Sequence, residues 1–295
     1  MKPKSFEYAA PTSLDEALTL LSTGDGDARV VAGGQSLVPM MNFRLVSPSL
    51  LIDLNRIPEL RGISISLERN SLRLGSMTRH SEVEYSTLIA RELPLLKAAM
   101  SHVAHTQIRN RGTIGGSLAH SDPSAEWPAL CVALDALIHT AGVGGVRESR
   151  AKDFFVDLMT TALEDGEIIT SIEFQRWLPN TSWGFTELAR RRGDFAVAGV
   201  VALAALDPSK RIEMSRIVLF GVADFPILCD DLSAAIAGRV LDHDLAVEAG
   251  EIAASTVEPR ADLHVSSDYR RNLVSVLTRD ALLQVLSNSQ EDIRV

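Results

Sequence analysis

Two spacings of apolar residues sort this chain into elements. Leu14, Ala17, Leu18 and Leu21 fall at i, i+3, i+4 and i+7, the stripe of an amphipathic helix. Ser13, with Glu16 three residues on, supplies a capping box in front of it. Short apolar runs at 6–8, 28–32 and 50–54 read as strands, and 63–66 with 71–75 as a hairpin around Arg69-Asn70. Helices are predicted at 81–90, opened by a second capping box of Ser81 and Glu84, and from Pro94 with Leu95, Leu96, Ala99 and Val103 as its buried stripe. A further helix is predicted at 123–134, and strands at 136–140 and 167–174. The pattern changes after a connector at 177–183. Three strands, 185–189, 196–206 and 212–221, precede three helices, 231–237, 244–255 and 267–286. Strands first and helices afterwards give an α+β unit, an antiparallel sheet with helices on one face.

With 295 residues the chain suits two domains or three subdomains. Apolar residues make up 46% and charged ones 23%, as in soluble globular proteins. The net charge of -9 argues against nucleic acid or an anionic membrane as partner. The longest apolar run, 196–206, falls well short of the ~20 residues that span a bilayer. The N-terminal MKPKSFEYAAPTS lacks the apolar core of a secretory signal, so the cytoplasm is the expected location. Cys131 and Cys229 are too few for a Cys-ligated iron–sulfur cluster, which needs four thiolates, and read as buried thiols.

The candidate chemistry lies in two glycine loops. Ala32-Gly33-Gly34-Gln35-Ser36 follows a predicted strand, and Thr113-Ile114-Gly115-Gly116-Ser117 precedes a predicted helix with Asp122 as N-cap and Pro123 at its first position. Adjacent glycines let backbone N–H groups approach a phosphate, and a helix N-terminus adds partial positive charge. Neither loop carries the Lys-Ser/Thr of a P-loop or the three-glycine spacing of the Rossmann fingerprint. His102, His105 and His120 lack zinc-site spacing and read as loop histidines. Arg190-Arg191-Arg192 is either a solvated edge or a contact with phosphates or a partner chain.

Four segments in order, AGGQSLVPMMNFRL at 32–45, QIRNRGTIGGSLAHSDPSAEWPAL at 107–130, ARRRGDFAVAGV at 189–200 and SSDYRRNLVSVLTRDAL at 266–282, resemble the flavin-binding medium subunit of the molybdenum hydroxylases. That family includes the medium subunit of carbon monoxide dehydrogenase and the FAD domain of xanthine dehydrogenase. The resemblance implies an α+β chain with a PCMH-type FAD-binding domain at 1–176, in subdomains of about 1–55 and 56–176. A C-terminal domain follows at 177–295. It implies that Ala32, Gly33, Gly34, Gln35, Ser36 and Leu37, with Thr113, Ile114, Gly115, Gly116 and Ser117, wrap the FAD diphosphate and ribityl chain. Glu126, where relatives carry Asp, is expected to hydrogen-bond the flavin, and the strand of Ile168 and Ile169 to lie against its ring. Thr186 stands where some relatives carry Lys near the ring.

By the same resemblance no side chain here is an acid–base catalyst. Electrons reach FAD from a small [2Fe–2S] subunit, after oxidation of substrate at molybdopterin on a large subunit. The expected assembly is a heterotrimer or a dimer of heterotrimers. Two other readings stay open: a self-sufficient flavin oxidase, and a non-catalytic nucleotide-binding assembly module.

Overall fold

A computed structural model describes residues 2–24, 26–175 and 180–291. Its first unit is a parallel sheet of β1 (Glu7–Ala9), β2 (Ala28–Val31) and β3 (Leu50–Asp53), in the order β1-β3-β2. Helix α1 (Leu14–Thr23) makes the crossover, and its Ala17 and Leu18 pack on Ile52 and Leu54. Ser13 caps α1 by accepting the Glu16 N–H. The Glu16 carboxylate accepts from the Thr12 N–H, one residue before the position a capping box uses. Helix α2 (Leu37–Asn42) follows the first glycine segment, with Pro39 in its first turn, where a missing N–H costs nothing.

The second unit is an antiparallel sheet. Its strands are β4 (Ile63–Ser66), β5 (Ser71–Gly75), β6 (Leu137–Gly142) and β7 (Gly145–Arg150), with β10 (Ile168–Gln175) at the centre, in the order β4-β5-β10-β6-β7. Between β7 and β10 run α9 (Ala151–Phe154) and the ribbon β8 (Phe155–Asp157) and β9 (Thr160–Thr161). Six helices fill the β5–β6 connection: α3 (His80–Tyr85), α4 (Thr87–Glu92), α5 (Pro94–Ala99), α6 (Thr106–Arg109), α7 (Ile114–His120) and α8 (Glu126–Ala133). Helix α3 starts at His80, with Arg79 rather than Ser81 at its N-cap, where Glu82 accepts the Arg79 N–H. Glu84, read as part of a cap, instead accepts from the Nε and Nη2 of buried Arg109 at 2.8 and 3.0 Å. Arg109 also donates to the carbonyls of Val103 and Ala104, which shapes the loop between α5 and α6.

The third unit is an antiparallel sheet of β11 (Thr181–Ala189), β12 (Ala196–Leu206), β13 (Ile212–Phe220) and β14 (Ile227–Leu228). Helices α10 (Asp230–Ile236), α11 (His243–Ser255) and α12 (Ser267–Glu291) lie on one face, where Ala198, Val200, Ala202 and Ala204 enter their core. The other face is equally dry, with Phe185, Val201, Leu203 and Phe220 sharing a core with Trp127 and Leu130 of α8. This double burial is why 196–206 reads as an unbroken apolar run rather than an alternation. The connector expected at 177–183 falls partly on residues 176–179, outside the described residues; Thr181 and Ser182 belong to β11.

Helix α12 crosses β11 at Gly184, where a Cβ would sit 2.0 Å from the Ala281 carbonyl oxygen. Gly184→Ala should therefore cost about 2 kcal/mol or more of stability by chemical denaturation. Gly144→Ala, with open space around it, should stay within about 0.5 kcal/mol.

Candidate functional site

The first glycine segment leaves β2 and turns at Gly34, whose φ of +72° lies in the left-handed region natural to glycine. Asn55, just past β3, fixes its entry. The Asn55 Nδ2 donates to the Ala32 carbonyl at 2.9 Å, its Oδ1 accepts from Arg79, and its own carbonyl accepts from Arg61. Gln35 Nε2 folds back onto the Gly33 carbonyl at 2.9 Å. The carbonyls of Gly34 and Ser36 accept from Val38 and Met40. The carbonyls of Ala32, Gly33, Gly34 and Ser36 are thus engaged by the protein. Its N–H groups are not: among the described residues, those of Gly34, Gln35, Ser36 and Leu37 donate to no protein acceptor. Four successive free donors on a turn entering a helix make an anion-binding concavity.

The second segment is built differently from its sequence reading. Gly115 and Gly116 are not in a turn. They form the first turn of α7, capped by Thr113, whose Oγ1 accepts the Gly116 N–H at 3.1 Å. Asp122 and Pro123 do not start a helix. Asp122 Oδ1 accepts the Ser124 N–H in a turn, and α8 begins at Glu126 with Ala125 as N-cap. The α7 donors are consumed internally, Ile114 by the Thr78 carbonyl, Gly115 by that of Ser76 and Ser117 by that of Thr113. This segment therefore offers close approach rather than donors. The room at Gly115 is filled by the chain itself, a Cβ there lying 2.5 Å from Ser76 Cβ, and a Cβ on Gly116 would lie 2.9 Å from Thr113 Oγ1 and 3.4 Å from Ala32 Cβ.

The two segments meet. A Cβ on Gly33 would fall 2.3 Å from the Arg111 carbonyl oxygen, so the room that glycine frees there is filled by the chain itself. Gly112 is pinned by His80, whose Cδ2 would be 2.6 Å from a Cβ at that position. His80 in turn accepts from the indole N–H of buried Trp127 at 2.9 Å. Burial first, then Arg79 and Arg109, hold the His80 pKa down to about 3, so it stays neutral. Arg79 is itself lowered by burial and by Arg61 and Arg111, a cationic group beside the donor row.

Beyond α7 lies the junction with the third unit. Glu126, 5% exposed, is raised to about 7, by burial first and Asp122 after it. Facing it on β11, Glu187 is raised to about 8 by burial and by Glu126. Glu187 lines a cavity of about 310 Å³ with Ser101, His102, Arg191, Arg192 and Gly193. Its neighbour Thr186 points to the opposite face of the sheet, where its hydroxyl donates to the Leu277 carbonyl of α12 at 2.9 Å. Ile168 and Ile169 are enclosed in two different cores, Ile168 with α1 and Ile169 with α8. The sequence reading missed Asn55, Arg79, His80 and Glu187. A charged residue inside the 185–189 strand was the one signal available for Glu187.

Residues 4–177 match the family model described as the FAD binding domain in molybdopterin dehydrogenase, and residues 183–285 match the CO dehydrogenase flavoprotein C-terminal domain. The chain is 36% identical to the 6-hydroxypseudooxynicotine dehydrogenase complex subunit alpha of Paenarthrobacter nicotinovorans, over 98% of this chain and 97% of that one. Among solved structures it is similar to a chain of carbon monoxide dehydrogenase from Hydrogenophaga pseudoflava, with TM-score 0.94, 35% identity, and 98% and 99% of the two chains covered. It is similar also to a chain of quinoline 2-oxidoreductase from Pseudomonas putida 86, with TM-score 0.92, 38% identity and 99% of each chain covered.

The two raised carboxyls have a consequence for stability. The unfolded chain releases these protons near pH 4.5, whereas the folded chain keeps them until about 7 at Glu126 and about 8 at Glu187. The folded state thus binds more protons across this window, and stability falls as pH rises through it, at most about 1.4 kcal/mol per pH unit and group. Glu126→Gln should gain on the parent, by on the order of 1 kcal/mol, between pH 5 and 7.5 in thermal denaturation without added ligand. A constant difference across that range would contradict the assignment.

Proposed function

The chain belongs to the FAD-binding subunits of the molybdopterin dehydrogenases, and on that premise we propose that it carries electrons, through FAD held between its two glycine segments, from a [2Fe–2S] partner to an external acceptor. The observation that carries the reading is the row of free N–H groups from Gly34 to Leu37 opposite the bare backbone of Gly116. Those donors suit a diphosphate, and Arg61, Arg79 and Arg111 supply a positive field beside them. Bound FAD supplies the redox chemistry, taking up and giving out electrons; the protein orients it and sets its surroundings.

In this reading Ala32, Gly33, Gly34, Gln35, Ser36 and Leu37 hold the diphosphate, while Thr113, Ile114, Gly115, Gly116 and Ser117 form the floor beneath it. Helix α7 has seven residues, about 10 Å, and separates this cradle from Glu126. That length suits a ribityl chain laid along α7, with the ring reaching the junction where Glu126 hydrogen-bonds it and Ile169 of the central strand lies against it. Residues 1–176 then form the cofactor domain and 177–295 a brace that closes the far side. Molybdopterin and the [2Fe–2S] clusters belong to a large and a small partner subunit, since two buried cysteines cannot ligate a cluster. Among the described residues no helix is long and apolar enough to cross a membrane.

Gly34→Val and Gly116→Val should yield folded chains, by circular dichroism, that retain no FAD; normal flavin stoichiometry in both would contradict the cradle. Val38, Phe43 and Leu45 are exposed near it, Phe43 by 66% and Leu45 by 74%, as expected of surface that a partner covers. The chain expressed alone should therefore be poorly soluble or lose FAD, and co-expression with the small iron–sulfur subunit should restore it. A monodisperse, fully flavinylated monomer that ignores both partners in a pull-down would favour a self-sufficient oxidase.

A further inference from the structure

Glu187 is a buried acid with no structural employment. Its side chain is 3% exposed, yet its Oε2 has no hydrogen-bond partner. The nearest basic group is His102 Nδ1 at 3.8 Å, too long for a hydrogen bond. The pair is not an ion pair either. Burial and Arg192 hold His102 below its ordinary value, and burial holds Glu187 above its own, so both are neutral near pH 7. The charged and titratable groups around Glu187 are few: His102 from the loop after α5, Glu126 from α8, and Arg191 and Arg192 from the segment after β11. Its partner across the ladder on β12 is Gly199, which brings no side chain. A well-packed junction would seat an apolar residue or a satisfied polar one here. A protonated carboxyl with an unmatched oxygen, on the wall of a 310 Å³ cavity, is instead set up to exchange a proton with whatever lies beside it.

We propose that Glu187 is the proton donor to the flavin ring on reduction, refilled from water through the cavity it shares with His102. The inference rests on FAD being bound as proposed above, with its ring at the Glu126 junction. When the ring accepts two electrons from the iron–sulfur partner it takes up a proton. The Glu187 O–H bond breaks and a ring N–H bond forms, leaving a carboxylate. Water entering the cavity past His102, whose side chain is 39% exposed, returns a proton to it. Re-oxidation by the external acceptor removes the two electrons and releases the ring proton by the same path. Glu126 shares the duty of keeping Glu187 protonated, because two buried carboxyls facing each other resist a second negative charge.

The test uses the full chain with its FAD bound. The visible absorption of the oxidised flavin is titrated from pH 6 to 9.5, and the rate of flavin reduction by dithionite is followed by stopped flow over the same range. In the parent chain the spectrum should shift with a midpoint near 8, as a negative charge develops beside the ring. The reduction rate should fall above that midpoint. Glu187→Gln, at unchanged FAD content, should lose the spectral step and be slowed at pH 7 by ~10-fold or more, the low side of what a positioned acid contributes. Glu187→Asp should keep a step at a different midpoint, which a purely structural role for the side chain would not produce. No spectral step in the parent, or the same step and rate in Glu187→Gln, would overturn the proposal while leaving FAD binding intact. Failure of the parent chain to hold FAD would overturn the underlying reading as well.

Discussion

The approach of two stretches of backbone, Ala32–Gly34 and Arg111–Gly116, governs the architecture. They touch most closely at Gly33, where a Cβ would strike the Arg111 carbonyl, while a Cβ on Gly116 would press on its own cap, Thr113 Oγ1, and lie in ordinary contact with Ala32. Each stretch is held from behind by a different unit. Asn55 clamps the first to the end of β3, and Ser76 clamps the second through Gly115. Ser76 also donates its N–H to the Thr170 carbonyl of β10, where the ladder slips between Ile169 and Ser171. The irregularity in the central strand is thus tied to the placement of α7. Parallel sheet, antiparallel sheet and glycine seam form one mechanical assembly, and the row of donors from Gly34 to Leu37 stands on it.

The electrostatics of the two ends differ, and the difference has a purpose in the proposed function. Around the donor row, Arg61, Arg79 and Arg111 crowd together at some cost to Arg79, which burial and its neighbours weaken as a cation. An anion of the diphosphate class relieves that crowding. At the far end of α7 two buried acids are forced toward their neutral forms. The third unit is essential here, because β11 supplies Glu187 and the apolar face of β12 packs against α8. A C-terminal unit that looks like a brace therefore also sets the chemistry of the cavity.

Much of this was legible in the sequence where one local rule governs. The unbroken run at 196–206 marked a strand, though not that both of its faces are buried, and Ser13 marked the start of α1. The two glycine segments were identified, but the second was misread, because adjacent glycines before an Asp-Pro pair satisfy turn chemistry while Thr113 satisfies a helix cap. Tertiary hydrogen bonds from the Ile114 and Gly115 N–H groups to the carbonyls of Thr78 and Ser76 hold the helix start. Asn55 and His80 left no local signal, and Glu187 only its charge within a strand, because each acts on residues more than twenty positions away. Asn55 holds Ala32, His80 accepts from the Trp127 N–H, and Glu187 is coupled to Glu126. Alternation along β11 also sent Thr186 to α12 and Glu187 to the cavity, a distinction that motif matching does not make.

The central claim is that the free amides at the head of α2 hold the diphosphate of FAD while α7 offers only its bare backbone. Amide chemical shifts of the isotopically labelled chain, recorded before and after addition of FAD, test it most directly. Large downfield shifts and slowed exchange at Gly34, Gln35, Ser36 and Leu37 are predicted, with smaller changes at Ile114 and Gly115, whose N–H groups are already bonded to Thr78 and Ser76. FAD binding that leaves the four amides of 34–37 unmoved would contradict the account.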